Sequence, residues 1–414
     1  MTRRSLFLTP ALALAQAPAP PPAARMRTRP SKEIAASPLS IGFETLDREM
    51  FDPERTYPYL AALGVKWARC QTGWARTEKT KGQFDFAWLD RVVDSLLERG
   101  IQPWFNLGYG NTLYTPGAAH ASAVGWAPLN SAEARQAWAR YVETIGRRYA
   151  SKVKHWEIWN EPNIANFWQP EKPSPTGYVD LVRLTAPVLR KAVPGCTLIG
   201  GAYAGMAALE YFEGCYEAGL LELVDKISYH PYRQIPEDNY ETDLNAFRGL
   251  IERYKKGVGV WQGENGAPST NTSAGALRQF EWDETRQAKW LLRRILTDLA
   301  MGVELTSYFH TVDMVNYVWS SGQSGMTNSK GVLRGIEYTP KPSYYAYRNL
   351  CALFDAESAR ATDLLLRVEA AGAEIDPRAM RTAAWVRKGA PIYAWWYPGN
   401  LQRGLATSSA RLVL

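Results

Sequence analysis

The sequence predicts an α/β fold, a closed (β/α)8 TIM-type barrel with a small antiparallel β-sheet after it, and three observations predict it. From Ile41 onward, short β-branched and aromatic runs alternate with longer segments whose apolar residues recur at helical spacing. Gly64-Val65, Gly100-Ile101, Gly257-Val258 and Gly302-Val303 repeat one device, a glycine ending a helix and a β-branched residue opening a strand. The opposite strand ends carry Arg69, Asn106, Glu161, His230, Glu264 and His310. Tight turns at one end and polar residues at the other is the polarity of an eight-fold barrel. A doubly wound open sheet is the alternative, but no Gly-rich phosphate loop follows the first strand.

Strand one is expected over Ile41–Thr45, and residues 52–63 form a short helix interrupted by proline. Val65–Arg69 is strand two, and Asp85–Arg99 an amphipathic helix with Leu89, Val92, Val93, Leu96 and Leu97 on one face. Ile101–Asn106 is strand three, after which Ser131 caps a long helix carrying Ala134, Trp138, Tyr141, Val142 and Ile145. Val153–Trp159 is strand four, broken by Asn160-Glu161-Pro162 because proline lacks the N–H a ladder needs. Then follow a helix over Thr176–Ala192, strand five over Thr197–Ala202, a helix over Ala207–Gly219 and strand six over Val224–Tyr229. Glu241–Lys256 leads into strand seven, Trp282–Met301 into strand eight at Val303–Phe309, and Pro342 opens the last helix, to Phe354. Beyond Asp355, short strands are expected at Leu364–Glu369, Thr382–Val386, Ile392–Trp396 and Ala410–Leu414, with Lys388-Gly389 as a hairpin turn.

Composition bounds the rest. The 414 residues, 46% hydrophobic and 21% charged, fit one large globular domain with an appendage. The net charge of +7 is spread out, with no basic stripe interleaved with aromatics, so nucleic acid is not expected as a partner. Residues 1–17 read as a signal peptide in which Thr2-Arg3-Arg4-Ser5-Leu6-Phe7 resembles the twin-arginine export motif, which implies a periplasmic or secreted protein. The apolar run behind it is too short to span a bilayer, and no stable membrane insertion is expected. Residues 18–37 are a Pro/Ala-rich linker, 38–355 the barrel and 356–414 the accessory sheet. Cys70, Cys196, Cys215 and Cys351 lack metal-type spacing, and the four histidines are scattered. Cys196 and Cys215 either pair or remain thiols.

Two strand exits carry the chemistry. Glu161 sits among Trp156, Trp159 and Trp168, where partial desolvation lets a carboxyl keep its proton toward neutral pH, as a general acid must. Glu264 leaves a run of the same design, Val258-Gly259-Val260-Trp261-Gln262-Gly263-Glu264. The two acids are 103 residues apart, which matches three strand–helix units of a barrel. Both would then point into one mouth. Paired carboxyls flanking a bond are the equipment of glycoside hydrolysis.

Trp156-Glu157-Ile158-Trp159-Asn160-Glu161-Pro162-Asn163, with Asn166-Phe167-Trp168 behind it, resembles the acid/base strand of the clan A retaining glycosidases. Within them the chain from about Ile41 to Phe354 is most similar to glycoside hydrolase family 39, the β-xylosidase, α-L-iduronidase and exopolysaccharide hydrolase type. The resemblance implies that Glu161 is the general acid/base, Glu264 the nucleophile, and Asn160 the partner of the sugar 2-hydroxyl. It implies that His230 and Tyr232 contact the nucleophile and the sugar, and that Arg69 holds Glu264 ionised. No metal and no cofactor is implied. Where clan members often carry a tryptophan platform, this chain reads Tyr308-Phe309-His310, with Trp319 in the following loop.

Of the sixteen tryptophans, Trp67, Trp88, Trp104, Trp138 and Trp290 fall on strands or apolar helix faces and are read as core. Trp74, Trp126, Trp168 and Trp319 fall in loops at the mouth and are read, with Tyr308, His310 and Asn106, as sugar contacts. The expectation is an exported retaining β-glycosidase or β-xylosidase-like enzyme acting on oligo- or polysaccharide. An endo-acting polysaccharide hydrolase and a non-catalytic carbohydrate-binding barrel are the alternatives.

Overall fold

The computed structural model describes residues 26–318, 321–322, 325–370, 375–402 and 410–414. Eight parallel strands close into a barrel: β1 (Leu39–Gly42), β2 (Trp67–Gln71), β3 (Gln102–Leu107), β4 (His155–Ile158), β5 (Thr197–Ala204), β6 (Lys226–His230), β7 (Gly259–Asn265) and β8 (Leu305–Tyr308). Closure is made by β8 against β1, with Ile41 opposite Tyr308. The outer helices are α1 (Tyr57–Leu63), α2 (Ala87–Glu98), α3 (Ala132–Tyr149), α4 (Pro175–Ala192), α5 (Leu209–Glu217), α6 (Tyr240–Tyr254), α7 (Glu284–Ala300) and α8 (Pro342–Leu353). The predicted alternation therefore holds throughout, with ends shifted by at most three residues except that the first helix begins at Tyr57 rather than at residue 52.

Local chemistry sets these boundaries. The Ser131 hydroxyl accepts the Ala134 N–H at 3.0 Å and opens α3, as its position predicts. Gly64, Gly100, Gly257 and Gly302 are all left-handed, with φ of 90°, 72°, 79° and 64°. A side chain there would be strained, so glycine is what lets each helix stop and each strand begin.

The barrel interior is layered. Trp104, Ile199, Trp261 and Leu305 form an apolar plug. Arg69, Asn106 and Glu157, each at most 1% exposed, form a polar layer nearer the carboxyl ends. The plug seals the amino end, and the polar layer meets the mouth. Trp88, Trp104, Trp138 and Trp290 are buried as expected, and Trp67 is half-buried beside Trp261.

Three features depart from expectation. The loop after β8 carries its own hairpin, β9 (Met314–Tyr317) with β10 (Met326–Asn328). The appendage is two sheets rather than one: β11 (Ser358–Arg360), β13 (Arg381–Arg387) and β14 (Ala390–Trp396) in one, β12 (Arg367–Ala370) with β15 (Arg411–Val413) in the other. The Lys388-Gly389 turn forms as expected, with φ of 50° and 78°, the left-handed pair of a two-residue hairpin. Finally, the assigned linker is packed from Arg29 on: Ser31 and Ile34 are buried, and Arg29 reaches the last barrel helix. Ile34 and the salt bridge of Arg29 supply burial that composition does not reveal. All four cysteines are buried free thiols, so Cys196 and Cys215 do not pair.

Asp355 ties the barrel to both flanks. Its carboxylate receives Arg29 at 2.6 Å from the amino-terminal side and Arg387 at 2.8 Å from β13. Despite burial, these donors hold its pKa down, at about 2. Asp355→Ala should cost about 2–4 kcal/mol, below the range for a fully buried pair because both guanidiniums are partly exposed. A depressed carboxyl stabilises above its unfolded pKa and loses that contribution as pH falls through the folded value. The gap between parent and variant in denaturant melts should therefore be full above about pH 4 and close as pH approaches 2.

Candidate active site

Glu161 and Glu264 leave the ends of β4 and β7 and converge. One carboxylate oxygen of each, with a ring nitrogen of His230 from the end of β6, lie within 4.8 Å of one another. The two acids, His230 and Tyr232 line a cavity of about 260 Å³ at the carboxyl mouth of the barrel. Larger hollows lie elsewhere, about 520 Å³ beside α7 and about 690 Å³ beside Trp168, and neither is lined by this acid pair.

Arg69 is the centre of the construction. Its guanidinium is fully buried and spends all five N–H groups. Nε and Nη2 donate to Glu157 Oε2 at 2.8 and 2.5 Å, and Nη2 also donates to Asn160 Oδ1 at 2.8 Å. Nη1 donates to Glu44 Oε1 at 3.0 Å and to Glu264 Oε2 at 2.8 Å. The other oxygen of Glu264 accepts the Tyr232 hydroxyl at 2.8 Å. Both oxygens of Glu264 are thus fixed and its negative charge is met by donors.

Glu161 has a different environment. Burial pushes its pKa up to about 7, the Arg69 charge opposing and the Glu157 charge adding. Desolvation leads, as the sequence reading of this exit expects, and the charge of Glu157 adds to it. His230 Nδ1 lies 2.9 Å from Glu161 Oε1, and burial lowers the imidazole pKa to about 4. At pH 5–6, His230 is therefore neutral and Glu161 protonated.

The backbone at this exit is left-handed at Trp159 (φ 72°) and Glu161 (φ 48°), each costing about 1–3 kcal/mol. Neighbours hold it there. Trp159 N–H bonds Leu107 O at 3.0 Å, its indole N–H bonds Phe167 O at 2.7 Å, and Glu161 N–H bonds Ala202 O at 2.9 Å. On β7, a Cβ at Gly263 would stand 3.2 Å from Glu157 Oε1 and 3.3 Å from His230 Nε2. Glycine is what lets Glu264 close on its partners.

Several expected sugar contacts are placed elsewhere. Trp74 is fully buried, stacked on Tyr114 and Tyr141, because it opens a one-turn helix (Trp74–Thr77) and packs against α3. Trp168 is 3% exposed and packs on Trp159 and Tyr178, outside the acid-lined cavity. Tyr308 points outward from β8 toward Tyr347 of α8 and is fully buried. His310 is buried between the Val312 and Glu44 carbonyls, at 3.2 and 3.1 Å. Asn106 is buried below the mouth and donates to Glu157 and to Trp159 O. Arg69 supports the site but, with every N–H engaged, does not reach substrate. Trp126 is half-buried, its backbone paired with Gln169, and Trp319 lies outside the described residues. The aromatic lining is instead Phe167, Phe309, Tyr317 and Tyr232. Sequence reading missed Glu44, Glu157 and Lys330. Glu157 alone had a usable signal, as the inward residue of β4 one strand pair from Asn106.

A closed parallel barrel with an Asn-Glu-Pro exit on β4 and a second acid on β7 resembles the arrangement of the α/β-barrel glycoside hydrolases. The chain is similar to glycoside hydrolase family 39 over just under half of its length. The family model described as "Glycosyl hydrolases family 39" matches residues 60–255, which includes Asn160 and Glu161 and ends before Glu264. A β-xylosidase of Caldicellulosiruptor saccharolyticus is 26% identical over 294 residues, covering 64% of this chain and 56% of the relative. Beta-glucosidase 1B of Phanerodontia chrysosporium is 34% identical over 109 residues, 25% of this chain and 19% of the relative. The matches thus span less than two thirds of these relatives' own length. A family 39 glycoside hydrolase structure from Bacteroides cellulosilyticus WH2 superimposes with a TM-score of 0.65 at 20% identity, covering 88% of this chain and 71% of the other.

Removing the central cation tests the construction. Arg69→Met would leave Glu157 and Glu264 without their shared buried cation, and should cost about 3–5 kcal/mol in denaturant unfolding. Unfolding at the parent's midpoint would show that Arg69 does not hold the site together.

Proposed function

We propose that this chain is a retaining glycoside hydrolase acting by double displacement. The observation that carries the reading is the approach of the Glu161 and Glu264 carboxylates to within 4.8 Å in two opposed environments. Retaining enzymes hold their carboxyls about 5–5.5 Å apart, whereas inverting ones leave room for a water at about 6.5–9.5 Å.

In the first step Glu264, its oxygens fixed by Arg69 and Tyr232, attacks the anomeric carbon. Glu161 gives its proton to the leaving oxygen. In the second, the ionised Glu161 takes a proton from water, which releases the sugar from Glu264 and restores both groups. The guanidinium can only donate, so it fixes the Asn160 amide with Oδ1 inward and leaves Nδ2 for a sugar hydroxyl. β-Xylosides and β-glucosides are the first substrates to try, since the relatives are named for them.

Glu264→Ala should lower turnover by on the order of 10⁴-fold or more, and proton NMR of the first-released sugar from the parent should show retained configuration. The parent's kcat/KM should fall as pH rises through about 7, because the acid role needs Glu161 protonated. Inverted product, or full activity in the variant, would sink the double-displacement reading.

We also propose export through residues 1–17, supported by the paired arginines and the short apolar run behind them. Amino-terminal sequencing of the protein from a periplasmic fraction should find the chain beginning after Ala15 or Ala17.

A further inference from the structure

Lys330 is a cation in the catalytic cavity that the double-displacement mechanism does not use. It lies just after the β9–β10 hairpin, its carbonyl pinned by the His310 N–H at 3.1 Å, and it is 1% exposed. Nζ donates to Ala274 O at 2.9 Å and stands 3.4 Å from Asn328 Oδ1. Both partners are neutral, and an ammonium has three donors. Among the described residues no carboxylate forms an ion pair with it.

Its neighbour shows the contrast. Lys341, equally buried, is paired with Asp313 at 2.6 Å. Glu264 is in electrostatic range of Lys330, but its two oxygens are already engaged by Arg69 and Tyr232. Arg278 adds further positive potential. A buried ammonium without an anionic partner is costly, and burial lowers this one's pKa to about 7.

A second donor stands beside it. With Oδ1 turned to Nζ, the Asn328 amide presents Nδ2 as a donor, and Asn328 and Lys330 both line the cavity with Glu161 and Glu264. Gly275 lies against both. A Cβ there would stand 2.7 Å from Lys330 Nζ and 3.2 Å from Asn328 Nδ2. The absent side chain leaves those donors open to the cavity.

We propose that Lys330 and Asn328 form a subsite for an anionic substituent, carboxylate or sulfate, on the sugar held at Glu161 and Glu264, so that the enzyme acts on acidic glycosides. The inference rests on the glycoside-hydrolase reading and names its substrate class. The anion fills the place of the missing counter-ion. A neutral sugar of the same shape leaves the ammonium unpaired, and sites built around a buried polar group discriminate strongly against analogues that lack its partner.

The test compares kcat/KM on matched p-nitrophenyl glycosides: glucoside against glucuronide, galactoside against galacturonide, and glucoside against its 6-sulfate. Parent, Lys330→Gln and Asn328→Asp are run together, each checked by thermal melting for folding. Asn328→Asp supplies Lys330 with an internal carboxylate and so competes for the anion's place. The parent should favour the charged member of one pair by about tenfold or more, and both variants should lose that preference. The uronide and sulfate arms say which anion is read. Preference for the neutral members, or a charged preference that survives in both folded variants, would overturn the subsite.

Binding of free glucuronate, galacturonate and glucose 6-sulfate against glucose and galactose, by calorimetry, separates the two readings. Acid-selective binding lost in Lys330→Gln, without cleavage of any glycoside, would support the subsite while the hydrolase reading fails. Equal binding of acidic and neutral sugars, or none, would overturn the subsite even where glycosides are cleaved.

Discussion

The site depends on one buried guanidinium. Arg69 binds and positions carboxyl groups carried by three strands or their exits, and with them the amide of Asn160. A lysine could not do this, because an ammonium offers three donors around a point rather than a planar fork of five. Glu44 shows how the charges are balanced. Burial and the Glu264 charge push its pKa up to about 8, against Arg69, so that it is protonated at neutral pH. One cation then faces Glu157 and Glu264, and the low-dielectric interior tolerates the cluster.

Around that hub the two acids are given opposite surroundings by the same barrel. Glu264 projects from β7 into hydrogen-bond donors, whereas Glu161 projects from a left-handed turn into a setting where burial dominates. One carboxyl is therefore held by donors on both oxygens, while burial favours the protonated form of the other. The strained turn at Trp159 and Glu161 survives because backbone bonds from β3 and β5 hold it on both sides. Closure of the barrel therefore sets the geometry of the chemistry as well as the fold.

The aromatic residues show where a linear reading misleads. Trp74 and Trp168 have the composition and loop placement of sugar platforms, yet both fill space between the barrel and its helices. A tryptophan covers a large area whether it faces a sugar or a helix, and sequence position cannot say which. Tyr308 and His310 were misplaced for a related reason. One residue of strand phase turns a side chain from the mouth to the outer layer, and a loop that folds back, as at His310, converts an exposed end into an interior one.

What the sequence determined by itself is what local rules encode. The alternation of strand and helix, the glycine stops, the Ser131 cap and the Lys388-Gly389 turn are written in adjacent residues and reappear in the fold. So is the pair Glu161 and Glu264, because each stands at the carboxyl end of its own strand run. Only the tertiary structure decided who stands beside them. Glu44, Glu157 and Lys330 come from strands and loops far apart in the chain, and their charges acquire meaning only where burial and a shared neighbour bring them together. Desolvation and Coulomb interaction act through space, so no spacing along the chain records them.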